Sequence, residues 1–493
     1  MGVAVAAAIT LWLAPVAAVG VYAFWPSPVP AIAIGLAVAA AIARWTGPAL
    51  TETIAPALRV RPVAVLTALF AASAIAQIAG ISVYMADPSR GGWSYMASDP
   101  FRARHSCMTA YVEALRFCEQ GGVNIYQMDL YEPRTIGPFR VDSYHYPPPF
   151  LLLPALVRAV RPEMFQFRAL WFALQCGVLA ASVFGLARWI GGRPGAFAAA
   201  GGVLAFATPQ VVYSLQQGNV QSTAIPAAAV GMLLLWRGRL AAGAPVLAYL
   251  AAAKIFPGIL LVPLAAARRW KALAATAACA AAIVVLTVAL VGVRPFQDFV
   301  GHELPRISSG EAFPQAEQHA VSANVSIYGM TVRLRELGVS FLTRPRGLAI
   351  ASVYGLLVIA LAGITGWAYR PDLDDPGGRL RFLQVVLALL LLASFRSPFV
   401  GFYGYLGAVW LIALFAAEQP SPRPLITWWI GGAGFAIVHA ALPSPSTAAT
   451  SAHLVAAQVL LCAVLALCVA ALIRAWRSGM IMVPLTAPAV ASR

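Results

Sequence analysis

Long apolar stretches separated by short basic turns run through nearly all of this 493-residue chain. A helix needs about 20 apolar residues to cross the hydrocarbon core of a bilayer. On that criterion the pattern predicts spans at residues 3–24, 29–45, 64–85, 165–189, 194–213, 220–236, 272–293, 348–369, 380–393, 402–418, 425–441 and 453–476. Residues 240–253 and 255–267 are shorter and read as the two halves of one re-entrant-like hairpin, 240–267. The expected fold class is an all-α polytopic membrane protein, a bundle of about 12–14 transmembrane helices. Composition agrees: 60% of residues are hydrophobic and only 11% are charged, against roughly 25% charged in soluble domains. A soluble enzyme, a secreted disulfide scaffold and a disordered chain are all excluded.

The chain carries 34 Lys and Arg against 18 Asp and Glu, a net charge of +16. These basic residues sit between apolar runs, so they orient a membrane protein rather than bind nucleic acid. Arg44, Arg59 and Arg61, then Arg188 and Arg193, Arg237 and Arg239, Arg268, Arg269 and Lys271, Arg370, Arg379 and Arg381, and Arg474 and Arg477 form the basic turns. Placing them all in the cytoplasm puts both termini there too, provided residues 147–160 lie along the surface as a juxtamembrane helix. A multi-pass protein of a bacterial-type cytoplasmic (inner) membrane is expected, with no cleavable signal. Two long polar stretches then fall outside, residues 86–146 and 294–345. The expected organisation is N-terminal helices 1–85, a first extracytoplasmic loop with juxtamembrane helices 86–164, a transmembrane core 165–293, a second loop 294–345, C-terminal helices 346–476 and a cytoplasmic tail 477–493. Loops of this length are usually functional. Within the first, residues 108–118 read as an amphipathic helix ending at Gly121 and Gly122 and suited to a bilayer surface.

A charge within a span is functional by default. Lys254 lies at the hairpin apex, in Ala253-Lys254-Ile255-Phe256-Pro257, where the proline frees backbone groups. The alternative is a lysine that snorkels, opposed by its long apolar flanks. Gln217, Gly218 and Asn219 form an external turn suited either to sugar hydroxyls or simply to joining helices. Arg396, with Tyr403 nearby, is either a phosphate ligand or an interfacial anchor. The first loop contributes Asp99, Arg102, Arg104, His105, Asp129 and Asp142, then Tyr144-His145-Tyr146-Pro147-Pro148-Pro149-Phe150. The second contributes His302, Glu303, His319, Asn324, Ser326 and Tyr328. Carboxylate, imidazole, guanidinium and carboxamide groups together can activate a hydroxyl and neutralise a leaving phosphate. Taken singly, most of these are ordinary solvated loop residues. The six cysteines do not make a disulfide framework, although Cys107 and Cys118 share a segment and could pair. No metal-ligand spacing stands out, and a metal-independent reaction without cofactor is expected. A nucleotide-phosphate loop is also missing from the sequence, which favours a lipid-linked over a nucleotide-linked sugar.

The strings Gly121-Gly122-Val123-Asn124-Ile125-Tyr126, Tyr144–Phe150, Gln217-Gly218-Asn219-Val220, Ala253–Pro257, Asn324–Tyr328 and Ser397-Pro398, in this order, resemble glycosyltransferase family 87 within the GT-C fold membrane glycosyltransferases. The resemblance covers residues 99–405. It implies a polyprenyl-phosphate sugar donor, mannose or a related sugar, and inverting transfer to an acceptor hydroxyl on the extracytoplasmic face. The acceptor would be a glycolipid, a glycan or a protein. It also implies a catalytic aspartate in the first loop, shortly before an aromatic residue. Counting back from Tyr111 reaches Cys107 instead, and the nearest upstream carboxylate is Asp99, with His105 and Asp129 as rival bases. On this reading Lys254, Arg396, His319 and Arg104 surround the donor phosphate. Gln217, Asn219, Asn324, Tyr146 and Tyr403 orient sugar and acceptor. The competing reading is a secondary transporter or flippase for an anionic or lipid-linked substrate. A membrane acyltransferase ranks lower, because His439 has no nucleophile or carboxylate beside it in the sequence.

Overall fold

In the computed structural model, which describes residues 1–318, 324–442 and 449–481, the chain is almost wholly helical. Among the described residues eight helices are long and apolar enough to cross a membrane: Gly2–Tyr22, Pro28–Leu58, Arg61–Ala86, Met164–Ile190, Trp270–Val291, Arg344–Ala368, Pro376–Ser394 and Ser451–Ser478. Gly192–Phe206 and Pro209–Gln217 form a pair bent by 60°. Gln221–Trp236, Leu240–Lys254 and Leu406–Ala417 are shorter apolar helices. The all-α polytopic class expected from the pattern is what the chain adopts.

The difference between long and short helices follows from where each is buried. Trp270–Val291 and Arg344–Ala368 leave large apolar side chains exposed, among them Val285, Leu286, Leu356 and Leu357, as lipid-facing helices must. Leu406–Ala417, at 12 residues, is buried along its entire length. At 1.5 Å per residue it spans about 18 Å, less than a bilayer core of about 30 Å. It is therefore an interior segment that neighbouring helices enclose. At the N-terminal end, Ala31, Gly35, Ala39, Ala43 and Gly47 form a buried small-residue stripe on Pro28–Leu58. Such stripes let two helices approach closely, and a side chain at Gly35 would collide with the backbone of Ala18 on Gly2–Tyr22.

Residues 148–160 form a tight turn, Pro148–Leu151, and a short helix, Leu152–Val160, which exposes Leu153, Leu156 and Val160. Both are too short to cross. The amphipathic helix of the first loop runs Met108–Gln120 and ends at Gly121, whose φ of 67° suits glycine. Its position differs from the bilayer-surface one that its amphipathicity suggested. Met108 through Leu115 are all buried, and Tyr111 packs edge-on to Phe150 at 4.7 Å. Protein rather than lipid covers its apolar side, and even Glu113 is buried, 2.7 Å from Arg134. A two-stranded hairpin, Thr135–Ile136 with Phe139–Arg140, completes the loop. Cys107 and Cys118 are both free thiols.

The two long loops meet. His145 Nδ1 lies 2.7 Å from Glu303 Oε1, and Arg306 bonds both Glu303 at 3.2 Å and the Tyr126 carbonyl at 3.3 Å. They therefore occupy the same end of the bundle. The 27 residues of Met164–Ile190 lead from that end to the other, a rise of about 40 Å. There the basic turns hold helix termini: Arg379 donates to the carbonyls of Trp189 and Ile190, and Arg193 to those of Gln419 and Pro420.

Candidate active site

Three stretches of chain far apart in sequence converge on Lys254. Leu240–Lys254 stops where Ile255 adopts a φ of 59°, and the chain resumes as the tight turn Phe256–Leu260. Pro257 cannot donate to a continuing helix, which explains the break. The half-buried ammonium left at the apex donates to Asn219 Oδ1 at 3.3 Å. It also lies over the Tyr146 ring, 4.8 Å from its centroid, a cation–π arrangement. The first loop, the Gln-Gly-Asn turn and the hairpin thus meet at one charge.

The turn is rigidly built. Tyr111, Trp171 and Gln175 all donate to the Gly218 carbonyl, at 3.3, 3.1 and 3.1 Å. Gly218 has φ of 72°, and a side chain there would run into Met108. Asn219 Oδ1 accepts from Gln221 N at 3.0 Å as well as from Lys254. Its Nδ2 faces Cys107 Sγ at 3.7 Å, and Gln217 O accepts from Cys107 N at 3.0 Å. Gln216 joins the turn to the start of the loop by accepting from Tyr95 N. Gln217 is buried, yet among the described residues its Oε1 has no hydrogen-bond partner. A buried orphan acceptor of this kind needs an explanation.

Beside the turn stand His105, Cys107 and Asp142. His105 Nε2 lies 3.6 Å from Asp142 Oδ2 and 3.7 Å from Cys107 Sγ. The imidazole stacks on Phe101. Asp142 is placed by its own backbone N–H, which donates to Thr109 Oγ1 at 2.9 Å. Burial, followed by the nearby Asp142 carboxylate, pushes the Cys107 thiol well up from its ordinary value. Burial also pushes up the Tyr146 phenol, with Cys107 adding to the effect. Both are neutral groups at physiological pH. Tyr403 lies in the neighbourhood of Cys107, Tyr146 and Asp142.

His105, Lys254, Asn219, Gln217, Tyr146 and Tyr403 are thus gathered, while the other sequence candidates are placed differently. Asp99 caps the helix Pro100–Arg104: its Oδ1 accepts from Phe101 N and Arg102 N at 3.0 and 3.2 Å, and its Oδ2 lies 3.6 Å from Arg102 Nε. Arg104 is exposed at the end of that helix. Asn324 is buried and saturated: Nδ2 donates to the Pro398 and Ala316 carbonyls, and Oδ1 accepts from Ser326 N and Val400 N. Its carboxamide clamps the second loop to the Ser397-Pro398 segment. Arg396 lies along Gly355 of Arg344–Ala368, with no ion-pair partner among the described residues. His319 lies outside the described residues. Asp129 is in the turn Met128–Leu130, with no ion pair among the described residues. His439 is buried and faces Gln210 at 3.1 Å.

Two features carried little sequence signal. Asp142 was one loop carboxylate among several, and nothing in its spacing ties it to His105. The link between His145 and Glu303 joins residues in different loops, and only the position of His145 inside the Tyr/Pro string hinted at it.

A helical bundle of membrane-spanning length, with ionisable groups of its first loop gathered beside a lysine at a broken helix, is a polytopic membrane protein with a candidate site at one end. The model of glycosyltransferase family 87 matches residues 144–395. That is half of the chain, and the protein belongs to glycosyltransferase family 87. It is a membrane glycosyltransferase. No curated protein and no solved structure matches it.

Proposed function

We propose that the enzyme moves a sugar, mannose or a close relative, from a polyprenyl phosphate to an acceptor hydroxyl, with inversion, on the extracytoplasmic face of the membrane. The observation that carries this reading is the convergence of Lys254, Asn219 and Tyr146 at a broken apolar hairpin. A cation placed there, at membrane depth, suits a phosphate whose lipid tail stays in the bilayer. A nucleotide sugar would instead call for a soluble phosphate cradle.

In the proposed reaction the acceptor oxygen attacks the anomeric carbon as its proton passes to His105 Nε2, with Asp142 balancing the imidazolium. The bond from the anomeric carbon to the phosphate oxygen breaks, and its electron pair leaves with the phosphate. General-base help of this kind is worth roughly 10²–10⁴-fold. Lys254 stabilises the charge that develops on the departing phosphate, and the exposed Arg104 and Arg396, which has no ion pair among the described residues, attract the donor headgroup. Gln217 Oε1, Asn219 and Tyr403 orient sugar hydroxyls. Asp99 holds the start of the helix that presents His105, and Asn324 holds the second loop in place. His319 remains a candidate phosphate ligand by sequence. The reaction as written needs no metal and no cofactor. The acceptor is a glycolipid, a glycan or a protein, and both chain termini are cytoplasmic.

Purified protein mixed with polyprenyl-phosphate mannose and a detergent extract of envelope acceptors is the direct test. Stoichiometric release of polyprenyl phosphate with mannose on a new hydroxyl supports the proposal. Activity only with a nucleotide sugar would overturn the donor assignment. For sidedness, an impermeant thiol reagent should label Gly121→Cys and Gly310→Cys from outside intact cells, and labelling from the cytoplasmic side alone would reverse the orientation.

A further inference from the structure

His105, Cys107 and Asp142 present an imidazole nitrogen, a sulfur and a carboxylate oxygen to one another, all within 4.8 Å. These are three different ligand chemistries, drawn from the two ends of the first loop. Their separations do not suit a hydrogen-bonded dyad. At 3.6 Å, His105 Nε2 and Asp142 Oδ2 are farther apart than the roughly 2.7–3.2 Å of an N–H···O bond. The two distances from His105 do suit ligands around a common centre. Zinc binds nitrogen and oxygen at about 2.0–2.2 Å and sulfur at about 2.3 Å. Tetrahedral angles then place neighbouring ligand atoms about 3.3–3.7 Å apart; the N···O and N···S separations are already 3.6 and 3.7 Å, while the Cys107 sulfur and the Asp142 oxygen, within 4.8 Å of each other, would draw together on the ion.

We infer that these three side chains form a binding site for a divalent cation of the zinc class, with one coordination position open. The same Nε2 faces both other groups, the placement a metal-ligating nitrogen would take. The surroundings are those of a built site. Phe101 stacks on the imidazole and fixes its plane. Thr109 fixes Asp142 through its backbone N–H. Gln217 O holds the Cys107 backbone, and Asn219 Nδ2 points at the sulfur as an outer-shell donor. Such partners orient ligands and tune affinity. Charge also balances: two positive charges on the cation meet one thiolate and one carboxylate, leaving a neutral centre that the nearby Lys254 ammonium does not repel. Cys107 is buried, while His105 and Asp142 are a quarter and about a third exposed, so the open position faces the loop side, from which an ion can arrive. Binding releases the thiol proton to solvent as the thiolate forms. His105 Nε2 cannot be coordinated and accept the acceptor proton at once. On the transfer chemistry proposed above, therefore, the ion-loaded and the reactive enzyme are alternative states. The binding site itself does not depend on that chemistry.

The test uses the full-length protein in detergent, stripped with chelator and titrated with Co²⁺ and then Zn²⁺. We expect one tightly bound ion per chain, with a sulfur-to-cobalt charge-transfer band that zinc abolishes. Cys107→Ser should remove the band. Asp142→Asn and His105→Ala should each weaken binding, and Asn219→Ala should weaken it by about 10–100-fold through the outer shell. The melting transition of each variant confirms folding. The wild-type spectrum alone also decides: saturating cobalt without a sulfur band overturns the site. A band that persists in Cys107→Ser overturns it too, since it would arise from another of the free cysteines.

Discussion

Both ends of the bundle collect charge, but they handle it in opposite ways. At the end with the basic turns, arginines serve helix termini. Arg379 donates to four carbonyls, those of Leu373, Trp189, Ile190 and Asp374, and Arg474 pairs with Glu418 at 2.6 Å. Cations at helix C-termini satisfy orphan carbonyls and complement the dipole. At the loop end, Lys254, His105 and Asp142 converge from separate segments, none with a full set of hydrogen-bond partners among the described residues, and there a buried carboxamide oxygen of Gln217 is left over. The number of charges therefore does not mark the site. What marks it is polar capacity that the fold gathers and leaves unsatisfied.

That contrast can be broken most directly at the base. His105→Ala should lower transfer by about 10²–10⁴-fold while the melting temperature holds. Asp99→Asn should act through the helix start, reducing stability more than turnover per folded molecule. If instead Asp99→Asn abolishes turnover in a stably folded protein, the base lies at Asp99. Lys254→Met should reduce turnover by about 10²–10³-fold, the worth of one well-aimed donor, again without unfolding. Unchanged kinetics there would make the lysine a structural residue and erase the difference between the two ends.

The joint between the loops sharpens the comparison. Glu303 is fully buried between His145 and Arg306, and breaking such a pair typically costs about 3–5 kcal/mol. Glu303→Gln should therefore destabilise the loop end, read as faster hydrogen exchange in residues 144–146 and 299–306. At the other end, Arg379→Met should lower global stability by about 1.5–3 kcal/mol, the range for hydrogen bonds to a charged group, with turnover per folded molecule unchanged. The smallest effect concerns pH. Burial alone would raise the Glu317 pKa, but hydrogen bonds from Tyr328 and Arg335 outweigh it and hold the carboxyl below its ordinary value. A carboxylate lowered in the folded state contributes stability that is complete above its unfolded pKa and is lost as pH falls through the folded one. The melting-temperature advantage of the wild type over Glu317→Gln should thus be present at neutral pH and vanish in acid.

The apolar periodicity by itself determined the all-α membrane class, because no other structure satisfies a backbone in lipid. It also located the two polar loops and the hairpin broken beside Pro257, since charge and proline act locally. The short interior helices were less legible: Leu406–Ala417 is as apolar as a true span, and only the 12-residue length of the helix that forms and its burial separate the two. Individual strings named Lys254, Gln217, Asn219 and His105, but no spacing linked them. Asp142 reaches His105 through the fold of the first loop, and Asn219 reaches Cys107 and Lys254 through a turn that Gly218 alone permits. Asn324, whose sequence context suggested a ligand, proved to be clamped by the Pro398 segment. Side-chain chemistry is written residue by residue. Which lone pairs end up facing one another is decided by packing among distant segments, and only the tertiary structure supplies that.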